Sequence, residues 1–593
     1  MFPKSTYFLL LLIISLYQNV FSQTTKIEKD SAEIYADNRV YANEKSNADT
    51  IRVKKTHQKY ANFEGKIIRT IHIETLDPFG YSEFDSTKVA QKWAEKSGNK
   101  LHIKTNRAII EHLLLFKKNN RLDSLIVKES ERLIRSQKFI RTVYIFPKLV
   151  GKELDSLDIS IRVLDAWSII PIIESTSEIS TLGIDEYNFL GTGHQIKSRL
   201  VNRFSDGKKG VAVNYVIPNI LKSFIRTTIE YHNDIFDNQG ESIDLNRPFY
   251  SPLTKWAGGG YFGNIMRKDS LQNADLVYSK QKIKLNLQDY WIGHSFPIFK
   301  GNSVNSRNTN LIVSARYLNI NYLESPSVEY DPIRFYSDEK FILSGIGLNS
   351  RNFVKDRYLF KNGIIEDVPT GKIVGITTGY QYKNNQGRLY IGGQVSFGDF
   401  HNWGFLSTNF EMGTFFDKSN TSQTTFSFQA NYFTKLLKIK KWNIRQFAKT
   451  QAILGLNRLD SFKDQLSINE GDGIQGFNSA IYGTKKMILT LQTQVYSPWE
   501  LWGFRMNPFF NYSIAKLGST NSQFLNSKTY SRIGLGILIT NDYIGFSAFQ
   551  LSISFYPSIP GIGNDIFKIN SFASSDFGFQ SFELARPRQV IYR

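Results

Sequence analysis

Cysteine is absent from all 593 residues, which excludes disulfides and a lipoprotein anchor at a modified cysteine. Long apolar runs are missing too: beyond the first twenty-two residues none reaches eighteen, so no transmembrane helix is available. Catalytic signatures are also missing, with no GxSxG, HExxH or phosphate loop. His72 and His102 stand alone, without acidic neighbours at metal-ligand spacing. The glycine-rich GGGYFGN at 258 to 264 fits close strand packing better than nucleotide binding. Glu470 and Asp472 lie together in a loop. A paired-carboxylate hydrolase remains open in principle, but a solvated or cation-contacting loop is the simpler reading. The chain therefore reads as neither enzyme nor cofactor or metal binder.

Against these absences stand 14 % aromatic residues and a formal charge of +20. The basic residues are scattered and form neither a stripe nor a nucleic-acid motif. They fit a basic lumen and rim facing anionic headgroups, with no nucleic-acid partner. Residues 1–22 carry Lys4, an apolar run from Tyr7 to Tyr17, and Val20-Phe21-Ser22 before Gln23, the pattern of a secretory signal peptide. The polar stretch 23–62 reads as a flexible linker.

A small α+β domain is expected over 63–165. Ile67 to Ile73 alternates as a strand, and helical patterns follow over 86–97, 109–116 and 122–134. Two strands, 143–146 and 157–163, close the module. Glu129, Arg132 and Arg135 have the spacing of a salt-bridged helix surface.

From 166 to 593 the chain is a succession of alternating segments. Phe549, Leu551, Ile553 and Phe555 share one strand face and Gln550, Ser552 and Ser554 the other; Val374, Ile376, Tyr380 and Tyr382 share another. Alternation over roughly ten-residue strands with aromatic ends is the signature of an outer-membrane barrel. In lipid such a sheet must close to satisfy its backbone. The closing pair is expected between a first strand at 169–176, with Ile169 and Ile170, and a last strand at 577–590, with Phe577, Phe579 and Phe582. Between two such segments lies a long loop, 456–485, rich in Gly, Asn and Asp. Loops of this length are uncommon unless they work or are disordered, and Ile474 and Phe477 suggest a packed tip.

That loop carries Gly473-Ile474-Gln475-Gly476-Phe477. It resembles the aliphatic-Arg-Gly-aromatic motif of the bacterial surface antigen family of outer-membrane barrels, whose sixth extracellular loop folds back into the lumen. The family arginine is Gln475 here, and the acid that it meets on a later strand is Asn511. Replacing both charges leaves neither stranded, so a Gln475 to Asn511 hydrogen bond is expected. The alternative is that both are ordinary lumen-facing polar residues. A second match is Asn188-Phe189-Leu190-Gly191-Thr192-Gly193, similar to the family's Asn-(Leu/Phe/Trp)-Leu-Gly-Thr-Gly turn, with positive φ expected at both glycines. The module, in turn, resembles a polypeptide-transport-associated (POTRA) domain through LLLFKKNNRLD at 113–123, ESERLIRS at 129–136 and ISIRVLDAWSIIP at 159–171.

The resemblance implies about sixteen strands, although some twenty alternating segments can be marked. It also implies a Gram-negative outer-membrane location with the module in the periplasm. The implied function is assembly or translocation of unfolded outer-membrane or secreted client polypeptides, with accessory lipoproteins as possible partners and no cofactor. A dedicated exporter of one polypeptide is the alternative, because one POTRA-like module is few for a general machine.

Overall fold

A computed structural model describes residues 60–151, 155–275, 277–418, 420–501, 503–519, 524–541, 543, 549–572 and 577–593. The expected signal peptide, and the linker up to residue 59, lie outside the described residues.

The module opens with a 3₁₀ turn, Tyr60–Phe63, whose Phe63 enters the core. Its sheet has the order β1 (Ile67–Leu76), β3 (Ser156–Asp165), β2 (Ile140–Val150). β1 runs parallel to the central β3 and β2 antiparallel. Alternate residues of β3 (Leu157, Ile159, Ile161, Val163) are fully buried, so this is a sheet with one face on a core. Helices α1 (Trp93–Leu101), α2 (Arg107–His112) and α3 (Ser124–Arg135) complete it. α1 begins seven residues later than the pattern suggests. Asp85 holds Thr87 in a local turn, and the Glu95 carboxylate accepts the Gln91 and Lys92 amides, which sets the helix start. Asp123 caps α3 by accepting the Leu125 and Ile126 amides.

All remaining strands belong to one antiparallel sheet in chain order. Short strands come first: β4 (Ile169–Ser175), β5 (Ile179–Phe189), β6 (His194–Arg203), β7 (Lys209–Ile217), β8 (Arg226–Asn233) and β9 (Gln239–Arg247). Long ones follow: β10 (Trp256–Gln272), β11 (Tyr278–Pro297), β12 (Thr309–Glu324), β13 (Glu339–Arg357), β14 (Ile365–Lys383) and β15 (Gln386–His401). Next are β16 (Gly404–Asp417), β17 (Asn420–Thr434), the three-residue β18 (Leu437–Ile439) and β19 (Trp442–Leu456). The last are β20 (Lys485–Tyr496), β21 (Phe504–Gly518), β22 (Thr529–Asn541), β23 (Phe549–Ile559) and β24 (Gly563–Phe572). Among the described residues this makes twenty-one strands, not sixteen. The alternating segments are real sheet members; the lower number came from the resemblance alone.

The strand order brings β24 beside β4. Residue-by-residue registers join the neighbouring strands from β4 round to β24, as in β4 with β5 and β23 with β24; none joins β24 to β4 among the described residues. Closing strand 577–590 is not formed. β24 ends at Phe572, and residues 577–593 are in no strand.

Burial on this sheet is inverted relative to the module. In β23, Leu551 and Ile553 are exposed, while Gln550, Ser552 and Ser554 are buried. Likewise Val374, Ile376, Tyr380 and Tyr382 of β14 are exposed and Gln381 is buried. Polar side chains face inward, where they bond one another, as in Gln394 and Ser396 with Asn409 at 2.9 and 2.6 Å. The glycine run fits close packing: a side chain on Gly259 would meet the Leu245 carbonyl at 2.6 Å.

Candidate functional site

Three parts converge on the polar interior: the docked module, the 457–484 loop and the 577–593 segment. The loop, the segment and the sheet enclose a cavity of about 940 Å³, lined by Asp472, Gln475 and Arg532 together with the segment itself.

The module meets the sheet at the end carrying the β5–β6 turn. Asn188 is buried there; its Nδ2 donates to Thr105 Oγ1 at 3.0 Å and its Oδ1 accepts the Gly193 amide at 2.8 Å. Gly191 and Gly193 have φ of 71° and 72° as expected, and Leu190 joins them at 52°. A side chain at Gly191 would also strike the Lys104 carbonyl at 2.5 Å. Phe189 and Thr192 tighten the turn through the Thr192 hydroxyl, which donates to the Phe189 carbonyl at 2.6 Å. The turn motif is thus a docking element for the module.

α3 makes the second contact, and its charges are not a solvated surface. Arg135 bridges Glu131 and Asp367, each at 2.8 Å, and Lys355 reaches Glu131 at 3.0 Å. Arg132 binds Glu129 at 2.9 Å and lies 4.1 Å from the Phe353 ring. Burial pushes the Glu131 carboxyl up, but the Lys355 and Arg135 charges outweigh it and hold it at about 2. His102, read above as a lone histidine, meets Asp165 at 3.0 Å with both side chains buried. Burial raises the Asp165 carboxyl against the pull of His102 and the Thr105 amide. Among the described residues no cluster of His or carboxylates could hold a metal.

The long loop folds onto the inner wall, as its motif implies. Ile474 and Phe477 are buried with Ile468, Ile488, Tyr530 and Tyr556, and Phe477 meets Tyr530 edge-on at 5.5 Å. Gly476 has φ of 70°, and a side chain there would collide with the Tyr556 hydroxyl. Gly473 sits equally tightly against the Ile468 backbone. Two wall residues hold the backbone: the Tyr556 hydroxyl donates to the Gln475 carbonyl at 2.7 Å and Lys568 to the Gly476 carbonyl at 3.0 Å.

The expected Gln475 to Asn511 bond is not formed. Gln475 Oε1 instead accepts from Arg532 at 3.4 Å and Gln550 at 3.5 Å. Asn511 donates to Gln492 and accepts from Ser513, both at 3.2 Å. The fully buried Arg532 of β22 takes the place beside Gln475 that Asn511 was expected to fill. Arg532 also donates to Ser554 at 2.9 Å. Asn511 stays where the sequence puts it, on the inward face of β21.

Ile169 and Ile170 start the first strand as expected, paired with Glu186 and Asp185 of β5. Phe577, Phe579 and Phe582 do not face them. Phe577 and Phe579 pack beside Phe405, Phe433 and Phe447, and Phe582 is fully buried against Gly398. Their close spacing fits an extended chain inside the lumen, which periodicity alone cannot separate from a strand in the wall.

No family model and no curated protein matches the chain. Among solved structures it is similar to BamA from Haemophilus ducreyi lacking POTRA domains 1-3, with a TM-score of 0.31 and 11 % identity over 86 % of this chain and 85 % of that one. It is also similar to CdiB from Acinetobacter baumannii, with a TM-score of 0.35 and 9 % identity over 95 % and 96 %. For CdiB from Escherichia coli the TM-score is 0.40 and the identity 10 %, over 86 % and 76 %. At these scores the reading of the site rests on the chain's own geometry.

Proposed function

We propose that the chain is an outer-membrane barrel that accepts unfolded client polypeptides through its periplasmic module and inserts or translocates them. Inverted burial is what supports the membrane part: apolar residues cover the exposed face of the sheet while charged and amide groups fill the inside. In water such a surface would drive association; in lipid it is the stable arrangement.

The junction of β4 and β24 carries the client-handling part. Among the described residues no residue-by-residue register joins these two strands, and β4 is only seven residues long. A client strand can pair with such an edge through backbone hydrogen bonds, with little demand on sequence. The module lies beside it: the Trp167 amide donates to the Tyr543 carbonyl at 2.6 Å, and Phe79 packs on both rings at 5.9 and 5.4 Å. A client held by the module would thus be delivered next to that junction.

Dedicated export of one polypeptide is the second reading, favoured by the extended segment 577–593 inside the lumen. Depletion of the protein, with proteomics of the outer membrane and of the medium side by side, separates the two. Broad loss of barrel proteins is expected for assembly, and loss of one secreted polypeptide for export. No change in either fraction would overturn both.

A further inference from the structure

The 577–593 segment crosses the interior without joining the sheet, yet the wall fits it closely. Gly398 takes the Phe582 ring, Gly347 and Gly375 take Leu584, and Gly455 takes the Tyr592 ring. Side chains at Gly347 and Gly375 would meet Leu584 at 2.6 and 3.2 Å. Those glycines come from four different strands, so the track is assembled by the barrel and not by one local turn.

Charges are matched as well. Arg586 pairs with Asp289, Arg588 with Glu411 at 2.8 Å, and Glu583 with Arg351 at 2.8 Å. The segment's backbone is also recognised. Asn349 and Arg316 donate to the Phe582 and Pro587 carbonyls at 3.1 and 3.2 Å, and the Tyr390 hydroxyl accepts the Val590 amide at 2.8 Å.

Each wall charge also has a partner within the wall, though among the described residues only Asp289 has a charged one. Asp289 is held bidentately by Arg316 at 2.8 and 2.7 Å, Glu411 accepts from Asn409 at 2.8 Å, and Arg351 still donates to the Phe249 carbonyl. Leaving a buried charge unpaired is the main cost of breaking such pairs, so Arg351 and Glu411, which have no other countercharge among the described residues, favour an incoming chain that brings matching charges. Arg586 and Arg588 remain about 40 % exposed even when bound. A tightly shaped but exchangeable seat is the mark of a binding site.

We propose that this lumenal wall is a binding track for an extended basic polypeptide with apolar side chains at two- and three-residue intervals, and that residues 577–593 are its resident occupant. The segment shuts the lumen while seated; a client stretch of the same chemistry takes its place. This deepens the polypeptide-handling reading given above and rests on it for the identity of the incoming chain.

The test uses the full chain in planar bilayers, comparing wild type with Arg586→Glu plus Arg588→Glu and probing with a synthetic peptide of residues 577–593. The variant is expected to conduct several-fold more than wild type. Added peptide blocks it, and the same peptide with both arginines as glutamate binds at least about tenfold more weakly, because like charges face each other across the track. Unchanged conductance in a folded variant, or equal block by the two peptides, overturns the proposal. Should the double variant fail to fold, Leu584→Asp expels the same segment and is read in the same way. Failure here with a client phenotype on depletion would remove the track and keep the transport reading; successful block with no such phenotype would do the reverse.

Discussion

Two pieces of chain fill the same lumen by different means. The 457–484 loop is fastened by an apolar cluster, with Ile474 and Phe477 inside a shell that includes Tyr530 and Tyr556. The 577–593 segment adds ion pairs to its apolar contacts, in which Phe582 and Leu584 are set over wall glycines. Burying apolar surface on a wall that is otherwise polar contributes stability that salt does not screen, whereas the pairs of Arg586 and Arg588, about 40 % exposed, are partly screened. The loop is therefore a fixture of the barrel. The segment is an insert.

The largest effect should fall on the fixture. Phe477→Ala removes a fully buried ring and is expected to cost about 3–5 kcal/mol, lowering the melting temperature of the detergent-solubilised barrel. Phe582→Ala, which removes an equally buried ring, should instead free the segment, with protease cutting after residue 577 and little change in barrel melting. Equal losses of barrel stability from both would abolish the distinction.

Acid provides the next test, at the module. The Glu131 carboxyl sits at about 2 in the folded chain, against an ordinary value of 4.5. A depressed folded value means that its contribution is complete above about 4.5 and is lost as the pH falls towards about 2. Melting of the wild type should drop across that window by the equivalent of up to about 3 kcal/mol. Glu131→Gln should start lower at neutral pH and lose less on acidification; parallel curves would mean that the pair with Lys355 and Arg135 is not formed.

Smaller still is the loop contact. Gln475→Ala should cost about 1 kcal/mol, and a double-mutant cycle should show coupling of Gln475 with Arg532 but none with Asn511. Coupling to Asn511 instead would restore the arrangement expected from the sequence.

What the sequence revealed follows the same contrast. Alternation along β14 and β23 was legible because one face of each strand is largely apolar over residues 374–382 and 549–555. The loop was legible because its glycines and Phe477 answer local needs of backbone and packing. Asn188 to Gly193 was likewise legible, since positive φ at two glycines is a local requirement. The number of strands was misjudged where resemblance overrode the pattern. Residues 577–590 were misread because alternation reports an extended chain with two different sides and not what lies on either side. Arg532 could not be found at all: its role depends on the loop lying against β22, which is a long-range contact. The burial of Arg135 and Glu131 was hidden for the same reason, since Asp367 and Lys355 lie more than two hundred residues away.

The placement of 577–593 inside the lumen is the central claim, and the absence of cysteine makes it directly measurable. Gly375→Cys with Leu584→Cys, treated with a short bis-maleimide cross-linker in intact outer membranes, should cross-link, because a Cβ at Gly375 would lie 3.2 Å from the Leu584 side chain. Ile170→Cys with Phe582→Cys, the pair that a closing strand over 577–590 would bring together, should not. Cross-linking of the second pair and not the first would contradict the account.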